Sequence, residues 1–209
     1  MGNTAEIELV TRAVVKVGDG RGFIVEGRRR HRYVITAAHC LPEFPPPNSF
    51  SYTEERTYAG LVATLDGEKP TVTVELVFAD PIGDIAVLCS PDSQELFEEA
   101  DAYEALVDDV EPIVVSALAD ETDVEARLLS LDQRWITCKA RARPNGMIHL
   151  TACADGIRGG MSGSPILVDG KAVGVVTASG GSGDGLHTEG FEARLTRNLP
   201  GWLLHDLGL

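Results

Sequence analysis

Three short stretches of this chain hold side chains that can move a proton or attack a carbonyl. His39 closes the run Val34-Ile35-Thr36-Ala37-Ala38, where a β-branched strand ends and an imidazole can reach into a cleft. Asp84 sits in Gly83-Asp84-Ile85-Ala86-Val87-Leu88, at the mouth of an apolar strand, where a carboxylate is costly unless a donor satisfies it. An imidazole N–H is such a donor. Ser162 lies in Gly159-Gly160-Met161-Ser162-Gly163-Ser164-Pro165-Ile166, a glycine-rich loop whose successive N–H groups can converge beside a nucleophile. Taken singly, each is ordinary, since a histidine at a strand end is more often structural than catalytic. In the order His, Asp, Ser the pattern becomes specific.

Such groups need a rigid frame, and the pattern around them is mostly that of strands. Runs rich in β-branched residues recur at 13–17, 22–26, 33–37, 71–78, 85–89 and 113–117, then at 128–131, 135–142, 147–152, 166–168 and 172–177. Gly, Pro, Asp or Asn ends most of them, which predicts an all-β sandwich or barrel. The segment 92–110 reads differently. Leu96, Ala100, Tyr103, Val107 and Val110 follow a helical spacing with acids between them, and Ser90-Pro91 offers a cap and a first-turn proline. This predicts an amphipathic acidic helix joining two β lobes, and a short helix is expected after Pro200. Asn145-Gly146 predicts a hairpin turn. A two-residue turn sets Cys138 opposite Cys153, whereas a one-residue shift pairs Ala142, Ala140 and Cys138 with Ile148, Leu150 and Ala152. The second register keeps oil on one face, so free thiols are expected.

With 44% hydrophobic and 24% charged residues over 209 positions, the chain can bury a core. The net charge of -14 is uneven, because residues 70–126 hold sixteen Asp or Glu and no Lys or Arg. That balance argues against nucleic-acid binding. The cluster Arg28, Arg29, Arg30 and Arg32 around His31 is too short to reverse it and reads as a solvated hairpin tip. No apolar run approaches the ~20 residues of a membrane helix, no secretory signal is evident, and Glu6 stands where a myristoylation motif wants Ser or Thr. The expectation is a soluble cytoplasmic protein without membrane contact, or a domain excised from a longer one. The four cysteines show no metal-site spacing.

The residues "TAAHC", "DIAVL" and "GMSGSPI" resemble, in that order, the three signatures of the chymotrypsin-fold (trypsin-like) serine proteases. The stretches "GVVTASG" at 174–180 and "GFEARLT" at 190–196 resemble the strand lining that family's specificity pocket and the approach to its closing helix. The resemblance spans about 14–204. It implies two six-stranded antiparallel β-barrels within one peptidase domain: 1–91, an acidic connector 92–125 with a helix, 126–197, and a C-terminal helix in 198–209. By resemblance, Ser162 is the nucleophile, His39 the base and Asp84 its orienting acid, with the N–H groups of Gly160 and Ser162 forming an oxyanion hole. Thr177 falls where the family bonds the catalytic acid. Gly156 falls at the floor of the primary pocket, Ser179 and Gly190 on its walls and Glu192 beside its base. No metal or cofactor is implied, and the substrate is a protein or peptide.

Met161 stands where secreted trypsins have an aspartate, no Ile-Val-Gly-Gly terminus is present, and Cys40 lacks a partner near 22–27. These departures resemble bacterial or intracellular branches of the family. The pocket charge stays open. Glu192 or Asp155 favours a basic side chain, the absence of a floor acid favours a small or apolar one, and Arg158 favours an acidic one; alternatively Glu192 pairs with Arg194 or Arg158. The acidic connector reads as a solvated face, or else as an exosite for a basic regulatory partner. The alternative to an active enzyme is a protease-fold module that is catalytically silent or activated by a partner.

Overall fold

The computed structural model describes residues 3–44, 56–67, 69–119, 121–145, 147–153, 155–177 and 191–209, with the side chains of 3–7 and 191–192 outside that description. Six strands make a closed antiparallel barrel: β1 (Val14–Val17), β2 (Gly20–Glu26), β3 (Arg32–Thr36), β4 (Thr57–Thr64), β5 (Val72–Asp80) and β6 (Ile85–Cys89), in spatial order β1-β2-β3-β6-β5-β4. Phe23, Ile24, Val34, Ile35, Ile85, Val87 and Leu88 are wholly buried in it. Each such side chain contributes about 1.5–3 kcal/mol by leaving water. Closure leaves this barrel no open edge.

A second six-stranded sheet holds β7 (Val124–Leu129), β8 (Trp135–Ala142), β9 (Ile148–Thr151), β10 (Pro165–Val168), β11 (Lys171–Val175) and β12 (Phe191–Ala193) in the order β11-β10-β7-β8-β9-β12. It curls until its two ends touch at a single bridge, Val175 to Arg194. Ala126, Leu128, Ala140, Leu150, Met161, Ile166 and Ala193 form its own core. The chymotrypsin-like architecture implied by the resemblance is therefore present, with the first barrel closed and the second sheet curled into a half-barrel rather than a closed barrel. No described helix is long and apolar enough to cross a membrane.

Within this frame several local expectations shift. The acidic helix α2 runs over Phe97–Val107, preceded by one 3₁₀ turn, Gln94–Leu96, so it is shorter at both ends than 92–110. Its cap is also displaced: Ser93 rather than Ser90 accepts an N–H, from Glu95. Tyr103 and Val107 are buried against the first barrel, with the Tyr103 hydroxyl donating to the Arg32 carbonyl at 3.0 Å, while the acids face outward. The run 113–117 is not a strand of either barrel. It makes one bridge, Val115 to Ala172, because Ser116 and Val114 bond only to Ala172. An N-terminal helix, α1 (Asn3–Arg12), lies outside the sequence expectations. The C-terminal helix α3 (Gly201–Asp206) follows Pro200 as expected, burying Leu203, with Tyr33 donating to Asp206 at 3.2 Å.

The β8–β9 hairpin takes the shifted register, Ala140 opposite Leu150 and Ala142 opposite Ile148. Arg143 N–H donates to the Met147 carbonyl, so the turn takes in Pro144 as well as Asn145. All four cysteines are free thiols. Cys138 and Cys153 are buried side by side, and the contact with Cys153, together with burial, pushes the Cys138 thiol up. Arg28, Arg29 and Arg30 do form an exposed hairpin tip, whereas Arg32 lies on β3 and pairs with Glu26 at 3.0 Å.

Candidate active site

His39 and Asp84 are both delivered by the closed barrel. Beyond β3 the chain makes one 3₁₀ turn, Ala38–Cys40, which lifts His39 out of the sheet while its neighbours Ala38 and Cys40 stay buried. Asp84 ends the β5–β6 turn and adopts φ +54°, a left-handed conformation that an aspartate tolerates better than most residues. In that pose its carboxylate meets His39 twice. The His39 backbone N–H donates to Oδ1 at 2.9 Å, and Nδ1 lies 2.8 Å from Oδ2. An ionised carboxylate only accepts, so Nδ1 carries a proton toward it, and in a neutral imidazole Nε2 is then the acceptor. The His39 side chain is 40% exposed.

The turn holding Asp84 is itself braced by Asp80, which the sequence reading did not single out. Asp80 Oδ1 accepts the N–H groups of Ile82 (3.0 Å) and Gly83 (2.8 Å), and Oδ2 accepts from Asn198 Nδ2 at 2.8 Å. Burial pushes this carboxyl up, but the bonds from Gly83, Asn198 and Ile82 and the charge of Arg194 hold it below its ordinary range. A depressed carboxylate stabilises the fold above its unfolded pKa of about 4, and that contribution is lost as pH falls through the lower folded value. Asp80→Ala should cost about 1 kcal/mol at neutral pH, the modest figure expected for charge-assisted bonds in a partly solvated turn. Thermal melting at pH 7 and pH 3 checks it, with the difference from the wild type shrinking at the lower pH.

Ser162 comes from the second sheet, in the loop that enters β10. Two straps fix its backbone: the Ser162 carbonyl accepts Arg21 N–H at 2.7 Å and lies 3.8 Å from the Cys40 thiol, one residue from His39. Gly163 is pressed against the first barrel at φ +84°, where a Cβ would lie 1.7 Å from the Arg21 carbonyl oxygen, so no other residue fits. The N–H groups of Met161, Gly163 and Ser164 are taken by the carbonyls of Arg158, Val176 and Met161. Among the described residues no acceptor takes those of Gly160 or Ser162, both of which are part-exposed. Met161 between them is 1% exposed, packed into the second core. Burial pushes the neighbouring Cys40 thiol up to about 11.

Among the pocket residues expected from the sequence, Gly156 is buried at φ +65°, its N–H donating to the Cys153 carbonyl. Thr177 is buried just beyond β11, next to the Val176 strap. Glu192 is placed in β12 opposite His149, and its side chain lies outside the described residues, as do Ser179 and Gly190. Asp155 lies 3.9 Å from Arg134 on the wall of a cavity of about 280 Å³ that Gly156, Arg158 and Met161 also line. This sets Asp155 against a cation of the 130–134 turn. Among the described residues no His, Cys, Asp and Glu cluster could hold a metal ion.

A family model described as a trypsin-like peptidase domain matches residues 20–175. No curated protein matches the chain. Among solved structures, it is similar to the Rv3671c protease of M. tuberculosis in its inactive form, with 17% identity and a TM-score of 0.55, covering 99% of this chain and 94% of that one. It is similar to the MamO protease domain of Magnetospirillum magneticum, with 16% identity and a TM-score of 0.52, covering 94% and 96%. It is also similar to neuropsin, a serine protease of mouse brain, with 15% identity and a TM-score of 0.56, covering 94% and 95%. At these identities the likeness is one of fold.

Proposed function

Because the chain belongs to the family of trypsin-like peptidase domains, we propose that it is a serine endopeptidase acting on protein or peptide substrates through Ser162, His39 and Asp84. The observation that carries the reading is the two-point grip of Asp84 on His39, beside a serine loop strapped to the same place by Arg21. In the mechanism that follows, Ser162 Oγ attacks the scissile carbonyl while His39 Nε2 takes its proton. The positive charge that then develops on the imidazole is stabilised by Asp84 through Nδ1–H. The N–H groups of Gly160 and Ser162, unspent within the described fold, receive the oxyanion, and each such donor is worth about 10²–10³-fold in rate. His39 next protonates the leaving amine, and water hydrolyses the acyl-enzyme by the same route reversed.

Four free thiols support a reducing site of action, such as the cytoplasm. The expected result of adding a fluorophosphonate probe is stoichiometric labelling of Ser162, located by peptide mapping. A folded protein that takes no label would exclude an autonomous protease and leave the silent or partner-activated module.

A further inference from the structure

Arg21 is 5% exposed on β2, between Gly20 and Gly22. Its guanidinium reaches out of the first barrel to three consecutive carbonyls at the end of β7 and the start of the β7–β8 connection: Nη1 donates to Leu129 at 2.8 Å, and Nη2 to Ser130 at 3.0 Å and Leu131 at 3.4 Å. No carboxylate pairs with it among the described residues. A buried cation answered only by carbonyl dipoles is an expensive link between barrels, since an apolar side chain of similar volume often holds as well or better. The planar fork adds direction, because donors in fixed geometry turn successive carbonyls toward one point.

The same residue grips the loop that carries Ser162. Its backbone N–H donates to the Ser162 carbonyl, and its own carbonyl accepts Thr36 Oγ1 at 2.6 Å and packs on Gly163. From the other side, Leu131 Cδ2 lies 3.3 Å from where a Cβ would stand on Gly160. Ser162 is thus held by the backbone of Arg21, and Gly160 lies beside the leucine, itself 47% exposed, whose carbonyl the Arg21 side chain holds.

Resting on the peptidase reading above, we propose that Arg21 is a positioning residue for the oxyanion pocket, setting Gly160 N–H against Ser162 N–H through Leu131. Without the fork, the 129–131 carbonyls are free to turn to solvent, Leu131 withdraws from Gly160, and the two donors lose their common focus. That focus matters for the tetrahedral oxyanion far more than for the bound ground state, so the loss falls on kcat rather than on KM.

Arg21→Met keeps the apolar volume, and Arg21→Ala leaves room for a small cation. Both should keep the wild-type circular dichroism, with kcat down about 10–100-fold and KM within about 3-fold. Methylguanidinium should restore Arg21→Ala at least several-fold, where methylammonium does not. Should the alanine variant fail to fold, Arg21→Lys carries the test: a charge without the fork should still lose kcat at unchanged KM. Wild-type kcat in folded Arg21→Met or Arg21→Lys overturns the proposal, as does equal rescue by both cations. A wild type that neither turns over nor labels removes the peptidase reading with it, whereas an active wild type with indifferent Arg21 variants removes this proposal alone.

Discussion

Ser162→Ala should lower kcat on a cleavable peptide by about 10⁶-fold while leaving the melting temperature and peptide binding close to wild type. The size of the loss follows from what is removed. Without Oγ no acyl-enzyme forms, and His39 has no hydroxyl to deprotonate. What remains is the pair of N–H groups at Gly160 and Ser162, which still polarise a carbonyl toward water and leave a residual ~10³–10⁴-fold over the uncatalysed rate. Stability should change little, because Ser162 is part-exposed and its loop is held through the backbone, by the Ser162 carbonyl and by Gly163. Turnover within tenfold of wild type, measured on protein free of contaminating protease, would sink the assignment of the nucleophile.

Asp84→Asn is expected to cost about 10⁴-fold in kcat. Asparagine suits this test because it tolerates the left-handed backbone at φ +54° and is nearly isosteric, so the turn survives and the chemistry alone changes. The amide can still accept the His39 backbone N–H. If its NH₂ faces Nδ1, the imidazole must accept there, which places the ring proton on Nε2 and leaves no base for Ser162. A loss under tenfold, with the fold intact, would mean that Asp84 serves the turn rather than the imidazole.

His39, Asp84 and Ser162, the residues proposed to react, could be singled out because each stands in a local pattern with its own reason, and their order along the chain made the pattern specific. Arg21 and Asp80 carried weaker signals that could have been used. A lone arginine flanked by glycines within an apolar strand asks for a buried set of acceptors, and Asp80-Pro81-Ile82-Gly83 has the composition of a turn whose aspartate caps its own backbone. Helix α2 was found from the spacing of Ala100, Tyr103 and Val107, but its start was misplaced because Ser90-Pro91 was read as the cap, whereas Ser93 accepts the N–H and a 3₁₀ turn precedes the helix. The run 113–117 looks like a strand by composition. It is kept from being one because its bonds divide between Ile24 of one barrel and Ala172 of the other. Sequence pattern reports local preference, and that segment is decided by its position between two barrels.

Met161 has a bearing on how the reactive loop behaves as conditions change. The residue immediately before Ser162 is anchored by burial of a thioether in an apolar core, without an ion pair. Such an anchor has no proton to lose and no counter-ion for salt to screen. Its strength lies in the hydrophobic effect, which weakens on cooling. The part of Ser162's seat that rests on Met161 is therefore softest in the cold.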